Sequence, residues 1–342
     1  MRTLSRIAIT VALLTAFAAA PSPVVSQGAP TYTFAAVNNM NHLPEFVGVE
    51  KGIFLKHGID LKLKVLRSGA EAMRAFQSGE AQFETVSPTI MAAAYNNGVK
   101  LNAIASIMGD ATIVNYDDTF AVTARDGSGI RPGHIEDLAG KRVGTLLAGN
   151  PEIYLRAVLA KMKIPLDKVT LVNIPAPDTA SVMRSGSIDA AVTWEPYGTV
   201  ILDQVPKSYL VQRGGGYVGY ALWVGSSPEF LSAHPDVAQH LVDGFAEASW
   251  YIRRNRHEAA IVATHWIEGL DTASAEKAIA YMRFDPRFSR STIKAAEQEQ
   301  QIILDQGRIK QTIDYNGYLM MNYLAKTEKD SPRFFADLKP AN

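Results

Sequence analysis

Two stretches of the chain are variations on one pattern. "AMRAFQSGEAQFETVSP" (72–88) and "SVMRSGSIDAAVTWEP" (181–196) share Met-Arg, Ser-Gly, a strand-like run and a closing proline. Their glycines, Gly79 and Gly186, stand 107 positions apart, a plausible span for one α/β lobe. In each copy the glycine would end a helix in the left-handed conformation, which it adopts without a Cβ penalty. A repeat of this size points to two related lobes, and the order of elements around it agrees. Strand-like segments at 31–38, 59–66, 81–87 and 100–107 alternate with helical ones at 43–58, 69–79 and 88–98. A second series places strands at 119–125, 141–147, 168–174 and 188–194, with helices at 151–162 and 178–186. Strands separated by helices of this length predict parallel, doubly wound sheets flanked by helices.

From Pro228 the pattern changes. Residues 235–255 and 291–309 read as amphipathic helices with no strand between them, a helical cover for the first lobe. The chain must therefore return to that lobe, and "RGGGYVGYALWVG" (213–225) suits the crossing, with "NYDDT" (115–119) as the other. The expected division is lobe I over 31–117, lobe II over 118–214, and a return strand with C-terminal helices over 215–342.

Composition narrows the setting. Arg2 and Arg6 precede an uncharged apolar run (7–20) and the small residues of "PSPVVSQ", which predicts a cleavable signal peptide over 1–26 and a periplasmic protein. Cysteine is absent, which excludes disulfides, an acylated cysteine, thiolate metal sites and cysteine nucleophiles. Lys+Arg 34 against Asp+Glu 34 leaves no basic excess for nucleic acid. The seven histidines show no ligand spacing, so neither metal nor cofactor is expected. Signatures for serine hydrolases, zinc proteases and phosphate loops are missing, and "STIK" (291–294) is read as a chance match at a helix start. No catalytic residue is assigned.

Prolines mark the candidate site. Pro44, Pro88, Pro151, Pro177 and Pro196 each fall between a predicted strand and a predicted helix. Proline suits a first helical turn because its missing amide would be unpaired there. All five junctions lie at the carboxyl edge of the predicted sheets, where open α/β folds bind ligands. Each helix start also offers free N–H groups and a positive dipole end. Two lobes, two crossings and this cleft describe a protein that closes on a small molecule. Candidate contacts are Asn39, Met40, His42, Ser87, Thr89, Asn150, Asp178, Trp194, Glu195 and Tyr197, with Tyr220 from the return segment. Glu195 precedes Pro196 and reads either as a helix cap or as an acceptor for a donor group on the ligand. Trp194 reads as a core residue or as an apolar wall.

The opening "NHLPEFVGVEKGIFLKHGIDLKL" (41–63) resembles the nitrate/sulfonate/taurine-type solute-binding proteins of ABC importers, a group that includes proteins binding or making thiamine's pyrimidine precursor. "DLAGKRVGT" (137–145), "SGSIDAAVTWEPY" (185–197) and "ILDQGRI" (303–309) match the same group. The resemblance implies a two-lobed, type II-like periplasmic binding fold, a small-molecule ligand, an inner-membrane ABC permease as partner and a monomer. His42 lies where a pyrimidine-synthesising relative sacrifices a histidine, but that enzyme's cysteine-rich segment has no counterpart here. His42 is therefore expected as a ligand contact. The alternative is an exported enzyme on this scaffold, with Glu195 or Asp178 as base and His42 as acid. The expected range is a heteroaromatic, zwitterionic, carboxylate or sulfonate solute. Glu152 and Glu195 near the helix starts, and no arginine within the junctions, weigh toward a neutral, zwitterionic or heteroaromatic one walled by Met40, Trp194 and Tyr197.

Overall fold

The computed structural model describes residues 28–342, so the expected leader at 1–26 lies outside the described residues. Chain order begins with β1 (Thr31–Val37), α1 (Leu43–Glu50), α2 (Ile53–Lys56), β2 (Asp60–Leu66), α3 (Gly69–Gln77), β3 (Phe83–Val86), α4 (Pro88–Asn96) and β4 (Asn102–Met108). The helix expected over 43–58 is two helices, because Gly52 turns left-handed at φ 66° between them. Ser68 and Ser87 start α3 and α4 by accepting from the amides of Glu71 and Ile90, both at 3.3 Å. The second series runs β5 (Phe120–Ala124), β6 (Arg142–Thr145), α5 (Asn150–Lys161), β7 (Thr170–Asn173), α6 (Thr179–Arg184), β8 (Ala190–Trp194), α7 (Tyr197–Gln204) and β9 (Tyr209–Arg213). Gly79 (φ 78°) and Gly186 (φ 76°) follow α3 and α6 in the left-handed conformation read from the repeat.

After β10 (Leu222–Ser226) come α8 (Pro228–Ala233), α9 (Pro235–Arg254), α10 (Arg256–Trp266), α11 (Thr272–Ile279), α12 (Arg290–Asp305) and α13 (Met321–Asp330). α9, α10, α12 and α13 pack on α1, α4 and β4. α11 instead reaches α7, where Ser274 Oγ and Lys277 Nζ bond Asp203 at 2.8 and 2.7 Å. The cover thus bridges both halves rather than dressing one.

The sheets have the orders β2-β1-β3-β10-β4 and β7-β6-β8-β5-β9. They match position for position, each with one antiparallel strand in fourth place: β10 in the first sheet, β5 in the second. Both sheets are therefore mixed and parallel-rich, as expected for the fold, with four strands sharing a direction and one reversed. The reason is connectivity. β5 and β10 are each reached directly from the other sheet, so they start at the edge where the remaining strands end. β9, which the sequence reading passed over, is a short edge strand with half-exposed residues and little alternation.

Candidate ligand-binding site

The carboxyl edges of β1, β3, β6 and β8 face one cavity of about 380 Å³. Seven of the eleven expected residues line it: Asn39, His42, Ser87, Thr89, Asn150, Trp194 and Tyr220. Three helix N-termini meet there, at Ser68–Ala70 of α3, Ser87–Thr89 of α4 and Gly149–Asn150 of α5. First-turn amides have no helix carbonyl to bond, so each end presents donors and a partial positive charge.

Side-chain donors add to this. Among the described residues the buried indole Nε1 of Trp194 has no hydrogen-bond partner, and the buried Asn150 side chain lies against the carboxyl of Glu299. Arg308 reaches the cavity from just beyond α12, after Gly307 at φ 70°, and its Nη2 donates to the carbonyl of Ala148 at 2.6 Å. Among the described residues the lining contains no Asp or Glu.

A buried chain of polar contacts holds His42. Its Nδ1 lies 3.0 Å from Oε1 of Glu45, which also accepts from Thr85 Oγ1 at 2.6 Å. Glu45 thereby fixes the ring and leaves Nε2 for the cavity. Tyr220 is fixed similarly, its hydroxyl accepting from Asn41 Nδ2 at 3.2 Å, and Asn41 Oδ1 accepts from Thr119 of the crossing segment.

Four expected contacts lie elsewhere. Met40 is wholly buried in the core beside α1, because its short 3₁₀ turn (Met40–His42) points it inward. Asp178 is half exposed and bonds Arg67 of the other lobe at 2.8 Å, outside the cavity. Tyr197 donates its hydroxyl to the carbonyl of Asn38 at 2.5 Å, spending its polar end on an inter-lobe contact. Glu195 is fully buried, pairs with Arg213, and accepts from the Thr199 amide at 3.2 Å. Its cap reading describes its surroundings; its carboxylate has protein partners. Pro177 also differs from expectation, since it belongs to a 3₁₀ turn (Ala176–Asp178) before α6 rather than to the helix itself.

The acid–base pairing of the enzyme alternative is not assembled. Glu195 and Asp178 are absent from the lining that contains His42, and each already holds an arginine.

The argument against an anion also changes. Glu152 bonds Arg156 Nε at 2.7 Å and the Ala148 amide at 2.5 Å, so its charge is answered locally. Sequence reasoning missed Arg308 because it lies far from every proline junction. The one available signal was "ILDQGRI" (303–309), which carries it.

Residues 39–259 match the family model described as NMT1/THI5 like. The chain belongs to the NMT1/THI5-like family. Among curated relatives, a Brucella abortus protein whose name proposes a binding role is 23% identical over 233 residues, covering 67% of this chain and 69% of the relative. The taurine-binding periplasmic protein of Escherichia coli is 26% identical over 180 residues, 50% of this chain and 51% of that one. Among solved structures, the alkanesulfonate-binding protein SsuA from Xanthomonas axonopodis pv. citri bound to MOPS superposes with TM-score 0.72 at 15% identity, over 84% of this chain and 97% of the other. The desulfurization enzyme DSZB, in complex with biphenyl-2-sulfinic acid, gives TM-score 0.67 at 17% identity, over 88% and 99%. The architecture is that of periplasmic binding proteins, and this fold also carries an enzyme.

Proposed function

We propose that this member of the NMT1/THI5-like family is a periplasmic solute-binding protein that delivers an organic anion, a sulfonate or carboxylate, to an ABC importer. The carrying observation is the cavity's one-sided chemistry. Three helix N-termini, Arg308 and the unpartnered Trp194 indole line it, and no Asp or Glu of the described residues is in that lining. A volume of about 380 Å³ suits a small organic molecule rather than a bare inorganic ion. The relatives and structural neighbours that bind taurine and alkanesulfonates support the same class.

This narrows the range read from the sequence, a heteroaromatic, zwitterionic, carboxylate or sulfonate solute, toward its anionic members, since Glu152 and Glu195, the carboxylates that argued against an anion, have protein partners. Export and the permease partnership are part of the proposal. A binding role is favoured over catalysis because the residues nominated for acid–base work do not share the cavity with His42.

Thermal-shift and calorimetric titrations of the mature chain test the reading with taurine, ethanesulfonate, propionate and a neutral aminopyrimidine. Organic anions should bind one to one and be recovered unchanged. Arg308→Ala should weaken them by roughly ten- to a hundredfold, the worth of a charged hydrogen bond. Binding confined to the pyrimidine, unaffected by Arg308→Ala, would refute the anion assignment, and turnover of any solute would refute transport.

A further inference from the structure

The cavity does not end at the helix starts. It continues between α3 and α4 along two facing stripes. From α3 come Gly69, Ala70, Met73 and Gln77, a spacing that puts Gly69, Met73 and Gln77 on one helix face. From α4 come Ile90, Ala93, Ala94 and then Asn97 at its end, again one face. At Gly69 the two helices approach closely: Ile90 packs against the glycine, and a Cβ there would lie 2.6 Å from Ile90 Cδ1. Side chains between Gly69 and Gln77 are alanines, a methionine and an isoleucine, so the passage is apolar and narrow. Gln77 and Asn97 are both exposed, so the passage opens on the outer surface of this lobe. Gln77 also borders a second cavity whose lining includes Phe76, Val99 and Phe230. Gly69 to Gln77 spans eight residues, about 12 Å of helix.

Polarity is graded along this length. The unpartnered Trp194 Nε1 and the Arg308 guanidinium line the inter-lobe end, while the α3/α4 end carries no charged side chain. A head group and a tail would therefore sort to opposite ends.

Resting on the anion reading above, we infer that the solute is amphiphilic, with its anionic head held between the lobes and an extended alkyl tail threaded between α3 and α4 toward Gln77 and Asn97. Such a site accepts long tails without widening the cleft, because the chain end leaves through the lobe instead of holding the lobes apart. It selects for slender, unbranched chains, since Ile90 and Met73 flank the path.

Calorimetry with n-alkanesulfonates and n-alkanoates of two, six and ten carbons decides the matter. Affinity should rise about fourfold per methylene while the tail fills the passage. Ala93→Phe should flatten that rise and leave the two-carbon anions binding as in the parent. Gln77→Trp, at the exposed mouth where folding is not at stake, should weaken only the ten-carbon ligands; it decides the case if Ala93→Phe fails to fold. Short anions that bind equally well or better than long ones would overturn the passage while leaving the anion reading intact. Chain-length dependence untouched by both substitutions would also overturn it, placing the tail elsewhere. Failure of every anion at every length would overturn both.

Discussion

Glu195 has two partners, the Thr199 amide and the Arg213 guanidinium, and both belong to the protein. Arg213 also stacks over the ring of Tyr281, 3.7 Å from its centroid, so the pair is enclosed. Glu195→Gln keeps an acceptor for the amide but leaves Arg213 without its counter-ion. Breaking a buried pair from one side costs about 3–5 kcal/mol, so the melting point should drop clearly while calorimetry shows affinity nearly unchanged. Glu84 presents the opposite case. It is wholly buried on β3, neither oxygen has a partner, and burial raises its pKa well above the ordinary 4.5. Glu299 on α12 is shifted the same way by burial. A folded pKa above the unfolded one means the native state binds the extra proton. Stability from such a group is fully present below about pH 4.5 and is lost as pH rises toward the raised value. Glu84→Gln cannot titrate, so its melting point relative to the parent should climb between pH 4 and pH 8. An unchanging difference across that range would refute this account.

Helices in the first half are joined through one aromatic ring. Phe54 of α2 lies against Gly48 of α1 and Gly244 of α9; a Cβ at these positions would come within 2.2 and 2.5 Å of the ring. The glycines cost helix propensity, about 1 kcal/mol each relative to alanine, and in return three helices close around the ring. Gly48→Ala should therefore destabilise on balance, by about 1–2 kcal/mol, because overpacking outweighs the propensity gain. Phe54→Ala should cost about 3–5 kcal/mol by leaving a cavity. Adding Phe54→Leu to Gly48→Ala should recover part of the loss, and denaturant melts of the double-mutant cycle measure that coupling.

Across the whole molecule, the two crossings are fastened to each other. Asp117, in the first crossing, accepts from the amides of Gly216, Tyr217 and Val218 in the second at 2.9, 2.7 and 3.3 Å. Gly214 opens that second segment at φ 49°, and a Cβ there would lie 2.6 Å from Asp118 Oδ1. Around the cleft the lobes touch through Arg67–Asp178, Arg308–Ala148 and Tyr197–Asn38, a closed arrangement. A ligand held between the lobes adds contacts only when they are closed, so it should shift the population that way. Small-angle scattering should show a smaller radius of gyration at saturating ligand than without it; equal radii with proven binding would mean a rigid pocket. Asp178→Ala, which removes an exposed inter-lobe pair, should change affinity by no more than about 1 kcal/mol in calorimetry.

Local pattern alone established the two-lobed plan, because helix and strand periodicities, glycine stops and proline starts each depend on a few neighbouring residues. The repeat around Gly79 and Gly186, the strand edges and seven cavity residues were legible for that reason. The direction of β5 and β10 was not, since strand polarity follows from how the chain crosses between sheets. Glu195 could not be assigned either: a carboxylate before Pro196 suits a cap or a ligand equally until Arg213, on another strand, is placed beside it. Arg308 enters the cavity from a helix end more than a hundred residues beyond the last proline junction. Charge balance in the cleft is a sum over side chains brought together only by the fold, so the sequence determined which strand edges and helix starts carry the polar junctions, and the tertiary structure decided which charged groups stand around the cavity.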